Sequence, residues 1–226
     1  MEGAAKLPTP RSIVLCLSGG GLRATFFHLG VVRALKRINL LDKVTDIVSV
    51  SGGSIVAAHL VQHWGRYVDR PDRFDEAQHS LLSLRRWDLR GRAIRRSVFW
   101  WPLYYLSLRF PKHLRRFRVG RTELLRREYN RFFADQDLES LTKPSHRSPD
   151  CHIAATNLKT GSLCFFTKSK YQVLEDNSLR RYHAELTKIS LAVAASSAFP
   201  PVFPPILFDE SMTSESPGPS ACLRTF

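Results

Sequence analysis

The chain has 226 residues, enough for one domain of ordinary size and too few for two large ones. Hydrophobic residues make up 43% of it and charged residues 24%, a globular composition that excludes wholesale disorder. With 34 Lys and Arg against 20 Asp and Glu, its formal net charge is +14, which favours an anionic partner: nucleic acid, a membrane surface or an anionic substrate.

The first half of the chain predicts two strand–turn–helix units. Residues 12–17 are a short apolar run ended by glycines, which indicates a buried strand, and a second β-rich run covers residues 44–50. Helical spacing follows each run, over residues 22–38 and 54–64. The apolar side of the first helix is predicted to comprise Phe27, Val31, Ala34, Leu35 and Ile38. Two such units in succession predict a parallel sheet with helices on its faces.

The second half predicts a helical segment and then a return to strands. Residues 70–137 contain no clear strand, are mostly basic and helical in pattern, and include an aromatic run over residues 98–110. Strands are predicted at residues 152–156 and 163–167, with residues 157–161 as the turn between them.

The end of the chain predicts one more helix and then a polar tail. The helix covers residues 186–197 and precedes a proline-punctuated stretch over residues 199–205. Residues 211–226 are rich in Ser, Pro and Thr, and we expect them to be disordered. One domain is therefore predicted over residues 12–210.

Cysteine usage and apolar runs indicate the compartment. The four cysteines are far apart and form no C-x-x-C pair, so we expect no disulfide framework or zinc site, and a reducing compartment. Residues 1–11 lack the apolar core of a secretory signal, and no uncharged apolar run reaches the roughly 18–20 residues of a spanning helix. The sequence therefore predicts a cytoplasmic protein.

Two glycine clusters mark the candidate site. Residues 19–21 and 52–53 each follow a predicted strand and open a predicted helix, where backbone N–H groups face a ligand. Residues 49–53 (Ser-Val-Ser-Gly-Gly) approximate the G-x-S-x-G nucleophile elbow, whose small neighbours leave the serine hydroxyl exposed. An alternative for this cluster alone is a glycine-rich helix start with Ser51 as its N-cap.

The first cluster has two interpretations. Residues 19–24 fit the dinucleotide pattern G-x-G-x-x-G/A, but the second predicted strand does not end in the acidic residue that this pattern requires. In the other interpretation, the backbone amides of Gly20 and Gly21 form an oxyanion hole for the carbonyl that Ser51 attacks. Arg23 would hold this loop or add positive charge beside it.

Four short motifs follow one another in a family-specific order. They are LSGGGLRA at residues 17–24, VSGGS at 50–54, AATNLKTG at 154–161 and AASSAFPPVFPP at 194–205. On these motifs the chain resembles the patatin-like phospholipase family over about residues 12–207. The resemblance implies an α/β three-layer sandwich with a mostly parallel sheet, here carrying a basic helical insertion. It also implies a serine acyl hydrolase of lipid esters that works through a Ser–Asp dyad without a cofactor.

The resemblance assigns roles to single residues. Ser51 matches the nucleophile, with Arg23 and Gly53 in support. The oxyanion loop matches three glycines: Gly19, Gly20 and Gly21. The family's dyad aspartate lies in an Asp-Gly motif after the proline-rich segment, whereas Asp209 lacks the glycine and is not assigned. We therefore expect a C-terminally shortened lipid acyl hydrolase of impaired activity or, alternatively, a catalytically inactive patatin-fold protein that binds membrane surfaces.

Histidine is a further candidate for the base. Asp176 and His183 follow Ser51 in the order Ser…Asp…His of α/β-hydrolases, although eight histidines make such an order easy by chance. His59 and His63 have the spacing of zinc ligands but lack the glutamate of H-E-x-x-H. Ordinary core or surface histidines are the simpler interpretation, and no metal site is expected.

The positive charge is concentrated in one segment. Fifteen Lys and Arg but only three acidic residues lie within residues 85–131, a local net charge of +12. Its aromatic residues form one contiguous block around Trp100 and Trp101, which favours an anionic bilayer interface over single-stranded nucleic acid. A helical cap over the active site is the other interpretation. We expect a lipid or phospholipid substrate, peripheral association with an anionic membrane surface and no nucleic-acid partner.

Overall fold

The computed structural model describes eight ranges of the chain: residues 12–70, 73–86, 121–142, 148–168, 170–175, 178–184, 187–199 and 203–206. The aromatic run over residues 98–110, most of the basic segment 85–131 and the tail 211–226 lie outside the described residues. The predictions made for those parts therefore stay predictions. The described flanks of the segment 70–137 are helical, as expected.

The first half of the fold follows the predicted alternation. In chain order it comprises β1 (Ile13–Leu17), α1 (Gly21–Arg37), a 3-10 turn (Leu41–Lys43), β2 (Val44–Val50), α2 (Gly52–Gln62), α3 (Trp64–Tyr67), α4 (Phe74–Ser83) and a 3-10 turn (Leu84–Arg86). Each of the first two strands ends at glycines that start the next helix. The helical prediction over residues 54–64 is confirmed for α2, which begins two residues earlier.

The second half contains two strands that the sequence did not predict. Its elements are α5 (Arg121–Phe132), a 3-10 turn (Leu138–Thr142), β3 (Asp150–Asn157), β4 (Ser162–Phe166), β5 (Lys170–Glu175), β6 (Ser178–His183) and α6 (Ile189–Ser197). In β5, the side chains of Tyr171 and Val173 are fully buried while Leu174 is exposed. Such alternation is typical of a half-buried strand, but the charged residues at the ends of β5 made the pattern hard to recognise in the sequence.

The six strands form one mixed sheet in the order β1-β2-β3-β4-β5-β6. The pairs β1·β2 and β2·β3 are parallel, whereas the three remaining pairs are antiparallel. The predicted α/β class is therefore confirmed, but the described sheet is mixed rather than mostly parallel, because only the first three strands are parallel and the later ones follow one another as hairpins. Leu17 pairs with Ser49, which places the carboxyl ends of β1 and β2 at the same edge of the sheet.

Helix α2 is the centre of the core, because all eleven of its residues are buried. Burial alternates along the neighbouring strands: Leu15 and Ile47 are buried, whereas Val14 is 59% and Val50 43% exposed. Among the described residues, the helices thus cover mainly one face of β1 and β2. None of the described helices is long and apolar enough to cross a bilayer.

The predicted buried side of α1 is confirmed in part, because Val31 and Leu35 are partly buried against the core while Phe27, Ala34 and Ile38 are exposed. Phe27 is 69% and Ile38 61% exposed, whereas the most buried side of the helix is the adjacent one. The buried residues are Gly21, Thr25, His28, Leu29 and Val32. Two of these are polar and hold the glycine turns through hydrogen bonds, described below. The spacing of the apolar residues alone therefore predicts a side of the helix next to the one that is most buried.

Candidate active site

The two glycine turns meet at the carboxyl ends of β1 and β2. A Cβ atom built on Gly52 would overlap the carbonyl group of Gly21, and one built on Gly53 would overlap that of Leu17. A Cβ atom on Gly19 would lie 3.4 Å from the Cβ atom of Ser51. The close approach explains why glycine is required at residues 52 and 53. The structure thus brings the predicted serine and the predicted glycine loop together.

Ser51 has the backbone conformation of a nucleophile elbow. Its φ of 51° and ψ of −116° put a non-glycine residue in a region that costs of order 1–3 kcal/mol. Ser51 occupies the N-cap position of α2, yet its side chain makes no capping hydrogen bond. A plain N-cap role therefore does not explain the serine, whereas an elbow that presents a half-buried hydroxyl does.

Ser196 holds the elbow in place. Its hydroxyl accepts a hydrogen bond from the backbone N–H of Ser51 at 2.8 Å and donates one to the carbonyl oxygen of Ala154 at 2.6 Å. The same hydroxyl lies 3.1 Å from the hydroxyl of the fully buried Ser54. Ser196 belongs to the fourth quoted motif, but sequence reasoning gave it no role. The one sequence feature that could have identified Ser196 is its position as a small polar residue near the end of an alanine-rich helix.

The glycine loop presents backbone donors at the start of α1. Gly20 has φ 138° and Gly21 φ 65°, conformations that side chains other than glycine rarely adopt. Buried Thr25 ties the loop to the elbow, because its hydroxyl lies 2.9 Å from the carbonyl oxygen of Gly52 and 3.2 Å from that of Gly21. Neither α1 nor α2 has an acidic residue in its first turn. Both helix N-termini therefore keep their partial positive charge for a ligand.

His28, rather than Arg23, holds the loop from the strand side. The Nε2 atom of buried His28 lies 3.0 Å from the carbonyl oxygen of Ser18 and 3.3 Å from its hydroxyl. Arg23 is exposed and makes no hydrogen bond or ion pair with the described residues. The loop-holding role predicted for Arg23 thus falls to His28 and Thr25. The sequence offered no signal for His28 beyond its place in α1.

An apolar cavity of about 240 Å³ lies beside the elbow. Val50 precedes the serine along the chain and lines this cavity, as does Ser196, which binds the serine's backbone. The walls are otherwise largely apolar and include Ala154, Phe166, Leu191 and Ile206. Such a cavity can take a hydrocarbon chain.

No base for Ser51 lies among the described residues, within which its hydroxyl makes no hydrogen bond. His183 is on β6, four strands from β2, which corresponds to roughly 19 Å at the usual strand spacing. The Ser…Asp…His alternative is therefore wrong for His183, while Asp176 and Asp209 lie outside the described residues. A base for Ser51 must come from the part of the chain that the structure does not describe, or from outside it.

His59 is a core histidine. Its Nδ1 atom lies 3.1 Å from the hydroxyl of Tyr67 and its Nε2 atom 3.4 Å from that of Ser80. Burial, followed by the nearby His63 and Arg66, lowers the pKa of His59 to about 3. Within the described ranges, no three His, Cys, Asp or Glu residues are grouped as metal ligands. Both ring nitrogens of His59 therefore serve packing.

Comparison with known proteins identifies one family and, separately, structures of similar fold. A family model described as Patatin-like phospholipase matches residues 15–213. Two solved structures of human GIVD cytosolic phospholipase A2 are similar, one in complex with methyl gamma-linolenyl fluorophosphonate and terbium chloride and one with the fluorophosphonate alone. Their TM-scores are 0.56 and 0.54 at 19% and 18% identity, over 89% and 83% of this chain.

This chain covers 31% and 29% of those two structures, about a third of their length. Their low identity means that the likeness shows the fold alone. No curated protein sequence gave a significant match.

Proposed function

The chain belongs to the patatin-like phospholipase family, and we propose that it hydrolyses acyl esters of lipids with Ser51 as nucleophile. Membership of the family supports a hydrolase of lipid metabolism with a lipid substrate. One observation carries the assignment of the residue: Ser51 has an elbow conformation and faces the glycine loop that opens α1. The reaction needs no cofactor, because the protein supplies the nucleophile and the oxyanion donors.

In the first step, the hydroxyl oxygen of Ser51 attacks the acyl carbonyl carbon and loses its proton to a base. The carbonyl electron pair moves to the oxygen, which accepts hydrogen bonds from the N–H groups of Gly20 and Gly21. One such donor contributes on the order of 10²–10³ in rate. Collapse of the intermediate expels the alcohol, which takes up a proton, and leaves an acyl-enzyme. Water then cleaves the acyl-enzyme and releases the fatty acid.

The apolar cavity beside the elbow is the proposed acyl site. Its volume of about 240 Å³ and its largely apolar walls fit a hydrocarbon chain rather than a polar headgroup. Val50 and Ser196 connect the cavity to the elbow, so an acyl chain in it would reach Ser51 with its carbonyl end. The headgroup would then extend toward the open side of the site.

An anionic membrane surface is the proposed partner of the basic segment 85–131. Within its described part, Glu123 pairs with Arg126 at 2.7 Å and with Arg127 at 3.3 Å. Part of the positive charge of α5 is therefore balanced inside the helix. The segment's net charge of +12, in which Glu123 is already counted, supports the proposal of peripheral association with an anionic membrane surface.

A second candidate function is a patatin fold that binds membranes without catalysis. The observation in its favour is that the hydroxyl of Ser51 has no hydrogen-bond partner among the described residues. Ser51→Ala, assayed with a chromogenic acyl ester, separates the two functions, with Ser83→Ala as a matched exposed control. We expect hydrolysis by the wild type and by Ser83→Ala, and its loss in Ser51→Ala. Equal activity of all three chains would refute the assignment of Ser51.

A further inference from the structure

A second cavity, of about 540 Å³, lies at the end of α2 that is remote from Ser51. Helix α2 begins directly after Ser51 and has 11 residues, so its length separates the two sites by roughly 16 Å. His63 and Trp64, which follow the helix, line this cavity. It is therefore distinct from the candidate active site and plays no part in the proposed hydrolysis.

The lining of this cavity is strongly basic. Arg66, Arg70 and Arg73 contribute three guanidinium groups, and Asp69 is the one acidic residue among the described residues that line it. None of the three arginines forms an ion pair with a residue that the structure describes. Their net charge together with Asp69 is +2, which matches the charge of about −1.5 to −2 on a phosphate monoester near neutral pH. Arginine also binds phosphate oxygens in a bidentate manner.

Backbone hydrogen bonds connect the described residues that carry these arginines. The N–H groups of Asp69 and Arg70 both donate to the carbonyl oxygen of Gly65, at 3.0 and 3.1 Å, and the N–H of Arg73 donates to that of Arg70 at 3.0 Å. Lys36 of α1 donates to the carbonyl oxygen of Val68 at 2.7 Å and ties this segment to the core. The three arginines are therefore held within one short stretch of chain, which favours binding of a single compact anion.

Trp64 provides an independent observation at the same cavity. Its side chain is 3% exposed and lines the cavity, and its indole Nε1–H is buried without a hydrogen-bond acceptor among the described residues. A buried donor without an acceptor is unfavourable. The cavity thus has in its wall a buried indole donor together with three arginines that form no ion pair with the described residues.

We propose that this cavity binds a phosphate monoester, as a phosphorylated lipid headgroup or as a small soluble phosphate ester. Its volume exceeds what a bare phosphate ion needs and falls in the range of small-molecule sites. Single-stranded nucleic acid is the less suitable ligand, because it requires a row of exposed aromatic side chains and Trp64 is buried. The site gives the protein a means to recognise phosphate separately from ester hydrolysis.

The test measures binding of the full chain to vesicles and to soluble phosphates. Vesicles of phosphatidylcholine with phosphatidic acid are compared with vesicles that carry phosphatidylserine at equal surface charge. Glycerol 1-phosphate and inorganic phosphate are added as competitors. We expect tighter binding to the phosphatidic acid vesicles. Competition by glycerol 1-phosphate identifies a site open to soluble esters, and its failure to compete identifies a site specific for the lipid headgroup.

The variants assign the binding to this cavity. The triple variant Arg66→Gln/Arg70→Gln/Arg73→Gln should lose at least tenfold in affinity for phosphatidic acid vesicles. Arg181→Gln, which removes the same kind of charge from an exposed position on β6, should lose less than twofold. The corresponding triple Lys variant keeps the charge but not the bidentate geometry and should lose about threefold to tenfold. If the triple Gln variant does not melt cooperatively and is therefore unfolded, the affinity of the triple Lys variant tests the proposal instead.

Three results would overturn the proposal. The first is equal binding to the two kinds of vesicle. The second is an equal loss of affinity for phosphatidic acid vesicles in Arg181→Gln and in the cavity variants. The third, which applies when the triple Gln variant is unfolded, is unchanged affinity in the triple Lys variant. Preferred binding of a single-stranded RNA oligonucleotide that depends on the same arginines would also overturn it, in favour of a nucleic-acid site.

Discussion

The hydroxyl of Ser196 accepts the backbone N–H of Ser51 at 2.8 Å, although 145 residues separate the two serines. The same hydroxyl donates to the carbonyl oxygen of Ala154 on β3. One side chain of α6 thus fixes the strained elbow against the neighbouring strand. Because the elbow costs conformational energy, such a restraint from outside is needed to keep it in place.

Ser196→Ala should therefore lower both activity and stability. The change removes the acceptor of the Ser51 N–H and one donor to the carbonyl of Ala154, and leaving a buried polar group unpaired costs about 1–3 kcal/mol. We expect the kcat for a chromogenic acyl ester to fall at least tenfold with a smaller change in KM. The matched control is Ser197→Ala, because the buried hydroxyl of Ser197 has no hydrogen-bond partner among the described residues. A loss in Ser197→Ala as large as that in Ser196→Ala would show that the elbow does not depend on Ser196.

Gly52→Ala should disrupt the contact between the two glycine turns. The added methyl group would overlap the backbone carbonyl of Gly21, and backbone atoms cannot move aside as a flexible side chain does. We expect a loss of at least 2 kcal/mol in the free energy of unfolding, at the upper end for single substitutions. Gly30→Ala in α1 is the control, since a methyl group there meets nothing within 4 Å and should stabilise the helix by about 0.5–1 kcal/mol. Similar urea midpoints for the two variants would contradict the close packing of the turns.

The neutral His59 should make stability depend on pH. Its pKa is lowered from 6.5 to about 3 in the folded chain, chiefly by burial, so between these values the unfolded chain binds more protons. The contribution of His59 is fully present above about pH 6.5 and is lost as the pH falls toward 3. We expect the free energy of unfolding to fall by about 2 kcal/mol between pH 6.5 and pH 5.

Urea titrations of His59→Gln test this origin. The variant should lose most of the dependence on pH in this window, because the group that titrates is gone. His79→Gln, a change at an exposed histidine of α4, should keep it. If His59→Gln retains the full dependence, the titrating group lies elsewhere.

Filling the apolar cavity should select against long acyl chains. Ala195 lines the cavity, and Ala195→Phe would occupy part of its volume of about 240 Å³. We expect kcat/KM for a ten-carbon chromogenic ester to fall at least tenfold, while that for a two-carbon ester changes less than threefold. Ala34→Phe, on the exposed side of α1, is the control and should leave the ratio unchanged. An equal loss for both esters in Ala195→Phe would place the acyl chain elsewhere.

The turns of this fold could be predicted from the sequence better than the packing of its helices and strands. Gly52 and Gly53 are local requirements of a strand-to-helix turn, so the elbow at Ser51 could be predicted from five consecutive residues. The role of Ser196 could not, because it depends on how α6 packs on β3, far along the chain. The buried side of α1 was predicted only in part, for a related reason. Thr25 and His28 are buried to hold loops, which no apolar periodicity encodes.

Labelling with a fluorophosphonate probe tests the central claim most directly, because the probe reacts only with an activated serine. The full chain is incubated with the probe in the presence of phosphatidylcholine vesicles, and the modified peptide is identified by mass spectrometry. We predict covalent modification of Ser51, none in Ser51→Ala, and at least a tenfold slower reaction in Ser196→Ala. Absence of labelling at Ser51 in the folded wild-type chain would contradict the account and favour a membrane-binding protein without catalytic activity.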